Sequence, residues 1–373
     1  ANDSIFVIDT ESVQGENATI YSAILPEAVR ASLTGSNMGH EQVEDYLYTV
    51  GGYGTTCDNG VYVDSCYQTF PYLTRINLPG IVNSLVNDTP VQDSDFFQVT
   101  NDAFRVAGGE MYAINDLFYV VFGQNYQGVY KPGRTGTYTE RITTFQVSNT
   151  ATDFTVSDLS SITDPSGATG TASQFHRRDL NVTPAVRADG SLGLEVYGGV
   201  FNGNDEAYQQ PISIDGNTTT VHSDSLLVGL YECGQVLLFD RQNQTMFTTL
   251  LGGIGSHRYD SAGKLVPDND LPFVKTISTV IHNPSGEVVE YIQPASQKLP
   301  GWIGANSIFI PVSNLTTMPQ HAGIIDLNAL PATTDPQLIG YMLGGIHANG
   351  AQTAGPVGSY ADNIIYNVYL TRQ

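Results

Sequence analysis

The stretch YLYTVGGYG, Tyr46 to Gly54, is an alternating apolar strand that ends in a pair of glycines. Four further stretches repeat its plan: LFYVVFGQN (Leu117 to Asn125), LEVYGGVF (Leu194 to Phe201), FTTLLGGIG (Phe247 to Gly255) and GYMLGGIHA (Gly340 to Ala348). In the second copy Phe122 stands where the others have the first glycine. The second glycines, Gly52, Gly123, Gly199, Gly253 and Gly345, follow one another at steps of 71, 76, 54 and 92 residues. From Gly345 through the C-terminus, and on from the N-terminus to Gly52, is a further 80 residues, close to the other intervals. A closed ring counts in this way, and self-similarity of this kind signals one repeat architecture rather than unrelated domains.

The flanks of each copy keep a consistent order. An apolar strand precedes it, as in FRVAGGEMYAI or NVTPAVRADG, and a strand such as RITTFQVS, FVKTISTVIHN or NIIYNVYLTR follows. A fourth segment, for example DFTVSDL or EVVEYIQ, completes the unit. Four short strands per unit, repeated around a ring, describe a propeller blade. The glycine pair has a physical role there, since a strand near the crowded axis needs residues without a Cβ where backbones approach and the chain bends. The expected fold is all-β: a closed β-propeller of four-stranded antiparallel blades, with residues 1–373 as one domain. Five blades are counted, and the ring closes by pairing SIFVIDT near the N-terminus with NIIYNVYL near the C-terminus. The 92-residue step has room for another unit around GANSIFIPV, Gly304 to Val312, so six or seven blades stay open.

YLYTVGGYG resembles the second strand of the kelch repeat, which reads LYVxGG, and the other four copies are degenerate versions of it. The resemblance covers the chain as a spacing pattern, and it departs from the family in having Trp302 as its one tryptophan. It implies that ligand contacts gather on the face formed by loops entering the innermost strands and loops leaving the second strands.

Composition narrows the partners. A formal charge of −22, from 37 acidic and 15 basic residues, repels phosphate backbones and anionic membranes, so nucleic acid is not an expected partner. No apolar run approaches the ~18 residues of a membrane span, and the chain opens at Ala1 without a charged-then-apolar leader. Both fit a mature exported protein, secreted or at the cell surface. Cys57 and Cys66 bracket the polar segment CDNGVYVDSC and are expected to form a disulfide, whereas Cys233 in GLYECGQVLLF reads as a buried thiol. Six Asn-x-Ser/Thr sequons, at Asn17, Asn87, Asn181, Asn217, Asn243 and Asn314, are candidate glycosylation sites on exposed loops.

Mapping polar residues onto the expected ligand face gives a set of candidates. His40, Asn101, Asp102, Arg105, His176, Arg177, Arg178 and Asp179 precede first strands; Tyr126, His257, Arg258 and His347 follow glycine pairs. The segment QFHRRDLNVTP is the densest, and its two arginines in so acidic a chain suggest an anion or carboxylate ligand. The alternative is that these arginines pair with acidic residues to lock blades together. GHEQVED at His40 begins like a zinc HExxH motif, but Glu44 occupies the second histidine position and the context is a strand. No cofactor is expected. PDNDLP offers Asp268 and Asp270 as oxygen ligands for calcium without the full spacing of a calcium loop.

Three functions fit. The first is a secreted binding or adhesion propeller that recognises a glycan or a partner protein, its tyrosine- and asparagine-rich loops supplying apolar area and directional contacts. The second is an extracellular carbohydrate-active enzyme, a polysaccharide lyase or glycoside hydrolase, built on the His176/Arg177/Arg178/Asp179 cluster. The third is a structural subunit of a surface assembly of copies of this chain, joined through exposed strand edges.

Overall fold

A computed structural model of the chain describes residues 3–14, 17–57, 63–131, 136–150, 153–352 and 358–371. The fold is all-β with many sheets. Helix is confined to short pieces, chiefly Glu27–Leu33 and Leu78–Val86, the latter with proline in its first turn. The chain divides into two compact units, residues 1–178 and 179–373.

The first unit holds two antiparallel sheets of consecutive strands. One runs Ser36–Val43, Tyr46–Thr55, Tyr72–Asn77, Phe96–Thr100, with Tyr67–Thr69 beside the second of these; the other runs Glu110–Ile114, Leu117–Val121, Arg141–Asn149, Phe154–Thr163. They pack face to face: Tyr48, Val50 and Leu73 of one bury against Met111, Phe118, Val120 and Phe145 of the other. The strand Ser4–Gln14 pairs with Asn17–Ile24 in a separate hairpin, a partner the sequence reading did not include.

The second unit continues the plan. A third sheet runs Asn181–Val186, Leu192–Tyr197, Ile212–Asp215, Thr218–Val221, and a fourth runs Gly234–Asp240, Thr245–Leu251, Ile277–His282, Val288–Ile292. The fourth is widened by His321–Asp326, which lies parallel to Gly234–Asp240. A fifth sheet has three strands, Ile308–Pro311, Gln337–Leu343 and Ile365–Leu370, where four were expected. GANSIFIPV therefore supplies the strand that pairs with the fifth glycine-pair strand, Ile308 opposite Leu343. The long step arises in part from the segment that widens the fourth sheet.

The repeat is explicit in the backbone. Both residues of every pair have positive φ: Gly51 and Gly52 at 67° and 83°, Gly198 and Gly199 at 67° and 94°, Gly252 and Gly253 at 73° and 81°, Gly344 and Gly345 at 73° and 80°. Phe122 and Gly123 take the same conformation at 58° and 91°. Two successive left-handed residues turn the strand end sharply, a geometry that glycine adopts without a Cβ penalty. Each second glycine then accepts a hydrogen bond through its carbonyl, from the N–H of Phe70, Thr139, Tyr208, Val274 and Asp362 in turn, at 2.8 to 3.0 Å. In the first four copies its own N–H donates to the carbonyl leading into the next sheet, at Val106, Arg177, Leu230 and Ile303.

Candidate functional site

In the second unit, a cavity of ≈ 510 Å³ opens between the hairpin formed by His257–Tyr259 and Leu265–Pro267, the segment 273–276 leading into Ile277–His282, and residues 295–302. Its floor is fixed on both edges by backbone hydrogen bonds. Phe273 N–H donates to the Ala351 carbonyl at 2.8 Å, Val274 N–H to Gly253 at 3.0 Å, and Leu299 N–H to the carbonyl of Lys275 at 2.9 Å. An isolated bridge pairs Thr276 with Lys298. Lys275 and Lys298 thus sit on neighbouring segments tied together by backbone hydrogen bonds.

The lining combines cations with aromatic rings: Arg258, Lys275 and Lys298 together with Tyr259, Phe273 and Trp302. Lys275 Nζ lies 3.8 Å from the centroid of the Trp302 ring, close enough for a cation–π contact. Arg258 Nε donates to Asp268 Oδ2 at 2.6 Å, which matches its charge. Among the described residues, neither lysine has a carboxylate within ion-pair distance. The same holds for Lys264, so what sets Lys275 and Lys298 apart is that both line one cavity. Asp260, Ser261, Ser296 and Thr276 add polar groups to the wall. Tyr259 donates its hydroxyl to the Gln293 carbonyl at 2.8 Å, and partial burial raises its phenol, so the ring stays protonated at neutral pH. The wall can hold a polar ligand by stacking, hydrogen bonds and charge.

Arg258 lines the cavity; His257 sits beside it, its Nδ1 3.1 Å from Ser256 Oγ, with burial lowering its pKa. His347 stacks on Tyr360, with ring centroids 4.8 Å apart, and lies 3.4 Å from Asp362. In the first unit, His40 is exposed on Ser36–Val43. Asn101 accepts from the N–H of Ala103, and Asp102 pairs with Arg105 at 2.9 Å. Arg105 also donates to Thr69 and Gln68, and Tyr126 is buried edge-to-face on Tyr53.

His176 pairs with Glu140 at 2.7 Å and stacks on Tyr138, and Arg178 Nε donates to the Tyr138 hydroxyl at 3.1 Å. The side chain of Arg177 is fully buried and turns back onto Gln174, because its backbone takes the position filled by Val106, Leu230 and Ile303 in the other copies. In the second unit Asp179 is buried with φ of 53°, and its carbonyl accepts from the N–H of Glu232 at 3.2 Å.

One further expectation is corrected. Asn181 is fully buried, its amide donating to the Gly229 and Tyr231 carbonyls and its oxygen accepting from Cys233 and Gln235, so it has no room for a glycan. Asn87, Asn217, Asn243 and Asn314 are exposed, while the side chain of Asn17 lies outside the described residues. At the calcium candidate, Asp268 also accepts from Gln352 and from the N–H of Asp270. Among the described residues no group of three or more metal-ligating side chains comes together. The Cys57–Cys66 disulfide is formed, and Cys233 is a buried thiol.

Sequence reasoning did not single out Lys275, Lys298 or Trp302 as lining a common cavity. The available signal was proximity: two of four lysines and the single tryptophan fall within 28 residues.

No helix among the described residues is long and apolar enough to cross a membrane. No family profile matches the chain, and no curated protein matches it. Among solved structures it is similar to YjhT, over 99% of this chain and 95% of that one, at 11% identity and a TM-score of 0.47.

Proposed function

We propose that this chain is a secreted, kelch-like five-bladed propeller that binds a glycan, with the cavity of the second unit as its binding site. The observation that carries the binding role is the composition of that cavity: Trp302 and Tyr259 for stacking, with Asp260, Ser261, Ser296 and Thr276 for hydroxyl groups, on a floor fixed by backbone hydrogen bonds. Aromatic faces with convergent polar groups are the usual equipment for sugar recognition. The shared conformation of the four glycine pairs and of Phe122–Gly123 supports the blade count.

The test is a panel of neutral and acidic polysaccharides, with binding and product release measured in parallel for the wild type and Trp302→Ala. Saturable binding that weakens at least ~tenfold in Trp302→Ala, without new reducing or unsaturated ends, is the expected result. Binding that is unchanged in the variant contradicts the assignment of the cavity.

A hydrolase reading draws on other residues. Burial, with the nearby Asp179 carboxylate as a second cause, pushes the Glu232 carboxyl up to about 7, a range suited to a general acid. Glu232 also accepts from Asn306 Nδ2 at 3.0 Å. Reducing ends released by the wild type and abolished in Glu232→Gln would favour this second reading over pure binding.

A further inference from the structure

We propose that the ligand of this cavity is a saccharide bearing a carboxylate, a uronate-type sugar, whose carboxylate is met by Lys275 and Lys298 while its ring stacks on Trp302. The inference rests on the reading of the cavity as the glycan site and names the class of sugar it takes.

Three observations carry it. Lys275 and Lys298 line the same cavity, and among the described residues neither has a carboxylate within ion-pair distance. A cation left unmatched is electrostatically available to an anion from outside. Second, Asp260 shares the wall. Its carboxylate opposes a dense dianion such as phosphate, yet it suits the hydroxyl groups of a sugar that carries one charge. Third, the Lys275 ammonium covers a face of Trp302. Lysine is a point charge on a flexible stem, so a swing of its tip toward an incoming carboxylate uncovers the indole face for the sugar ring.

Calorimetry on the intact chain tests the charge directly. Trigalacturonate is compared with its fully methyl-esterified form, on the wild type, Lys275→Met, Lys298→Met and, as a control outside the cavity wall, Lys264→Met. The acid is expected to bind about tenfold or more tightly than the ester, and each cavity variant to lose about tenfold for the acid alone. Lys264→Met is expected to behave as wild type, and equal denaturation midpoints show that all variants are folded. Equal binding of acid and ester, indifferent to both lysines, overturns the inference and leaves the cavity as a glycan site. Absence of binding to either form, together with absence of binding to the neutral panel, overturns the glycan reading and this inference with it.

Discussion

Lys275 Nζ stands 3.8 Å from the centroid of Trp302, the single tryptophan of the chain. Fluorescence of the native protein excited at the red edge of indole absorption therefore reports on this one contact. Removing the cation in Lys275→Ala exposes the ring, so acrylamide quenching of Trp302 is expected to rise, with a stability loss of only about 0.5–1 kcal/mol. Quenching equal to that of the wild type would mean that the ammonium does not cover the ring in solution.

The glycine pairs give a sharper stability prediction. Gly51 and Gly344 hold nearly the same φ, 67° and 73°, but a Cβ on Gly51 would run into the Val106 carbonyl oxygen, whereas one on Gly344 meets nothing within 4 Å. Gly344→Ala is expected to cost about 1 kcal/mol, the left-handed penalty alone. Gly51→Ala adds a collision with backbone and is expected to cost roughly 3 kcal/mol or more. Chemical denaturation of the two variants measures the difference; equal losses would show that conformation, not crowding, selects the glycine.

His282 is held neutral. Burial, with the positive charge of Arg187 adding to it, lowers its pKa to about 4, and its Nε2 lies 2.9 Å from the Tyr197 hydroxyl. Above pH ~6.5 neither folded nor unfolded chain carries the proton at this site, so stability does not depend on it. As pH falls from ~6.5 toward 4, the unfolded chain takes up the proton and the folded chain does not, so stability falls by up to roughly 3 kcal/mol. Unfolding free energies of wild type and His282→Gln across this range should converge as pH drops. A constant gap would contradict the neutral assignment.

Thiol chemistry separates the three cysteines. Cys233 is buried and its thiol is pushed up to about 12 by that burial, with a hydrogen-bond partner in Asn181 Oδ1 at 3.5 Å. A thiol-specific reagent is expected to find no reactive group in the native protein and one in denaturant, with two more appearing after reduction. Opening the Cys57–Cys66 link by Cys66→Ser is expected to cost roughly 2–3 kcal/mol. A fast-reacting native thiol would contradict the burial of Cys233.

What the sequence disclosed follows from how local each requirement is. The five second strands were legible because two consecutive left-handed residues demand glycine wherever packing does not compensate. Phe122 is the exception that shows the rule: its side chain is fully buried, 4.6 Å from the ring of Phe175, and burial of a phenylalanine offsets a left-handed penalty of about 1–2 kcal/mol. The cavity was not legible, because its wall draws on residues 258–263, 273–276, 295–302 and Ala351, none of which carries a motif alone. The partners of the QFHRRD residues were not legible either. Arg177 turns back to Gln174 while His176 and Arg178 meet Tyr138, partners that no local sequence pattern specifies.

The most direct test of the glycan-binding cavity is a titration of Trp302 emission with the polysaccharide that the wild type binds most tightly. The account predicts a saturable shift or change in intensity whose midpoint matches the calorimetric dissociation constant. Binding that saturates by calorimetry while Trp302 emission stays constant would place the ligand elsewhere on the chain and contradict the assignment.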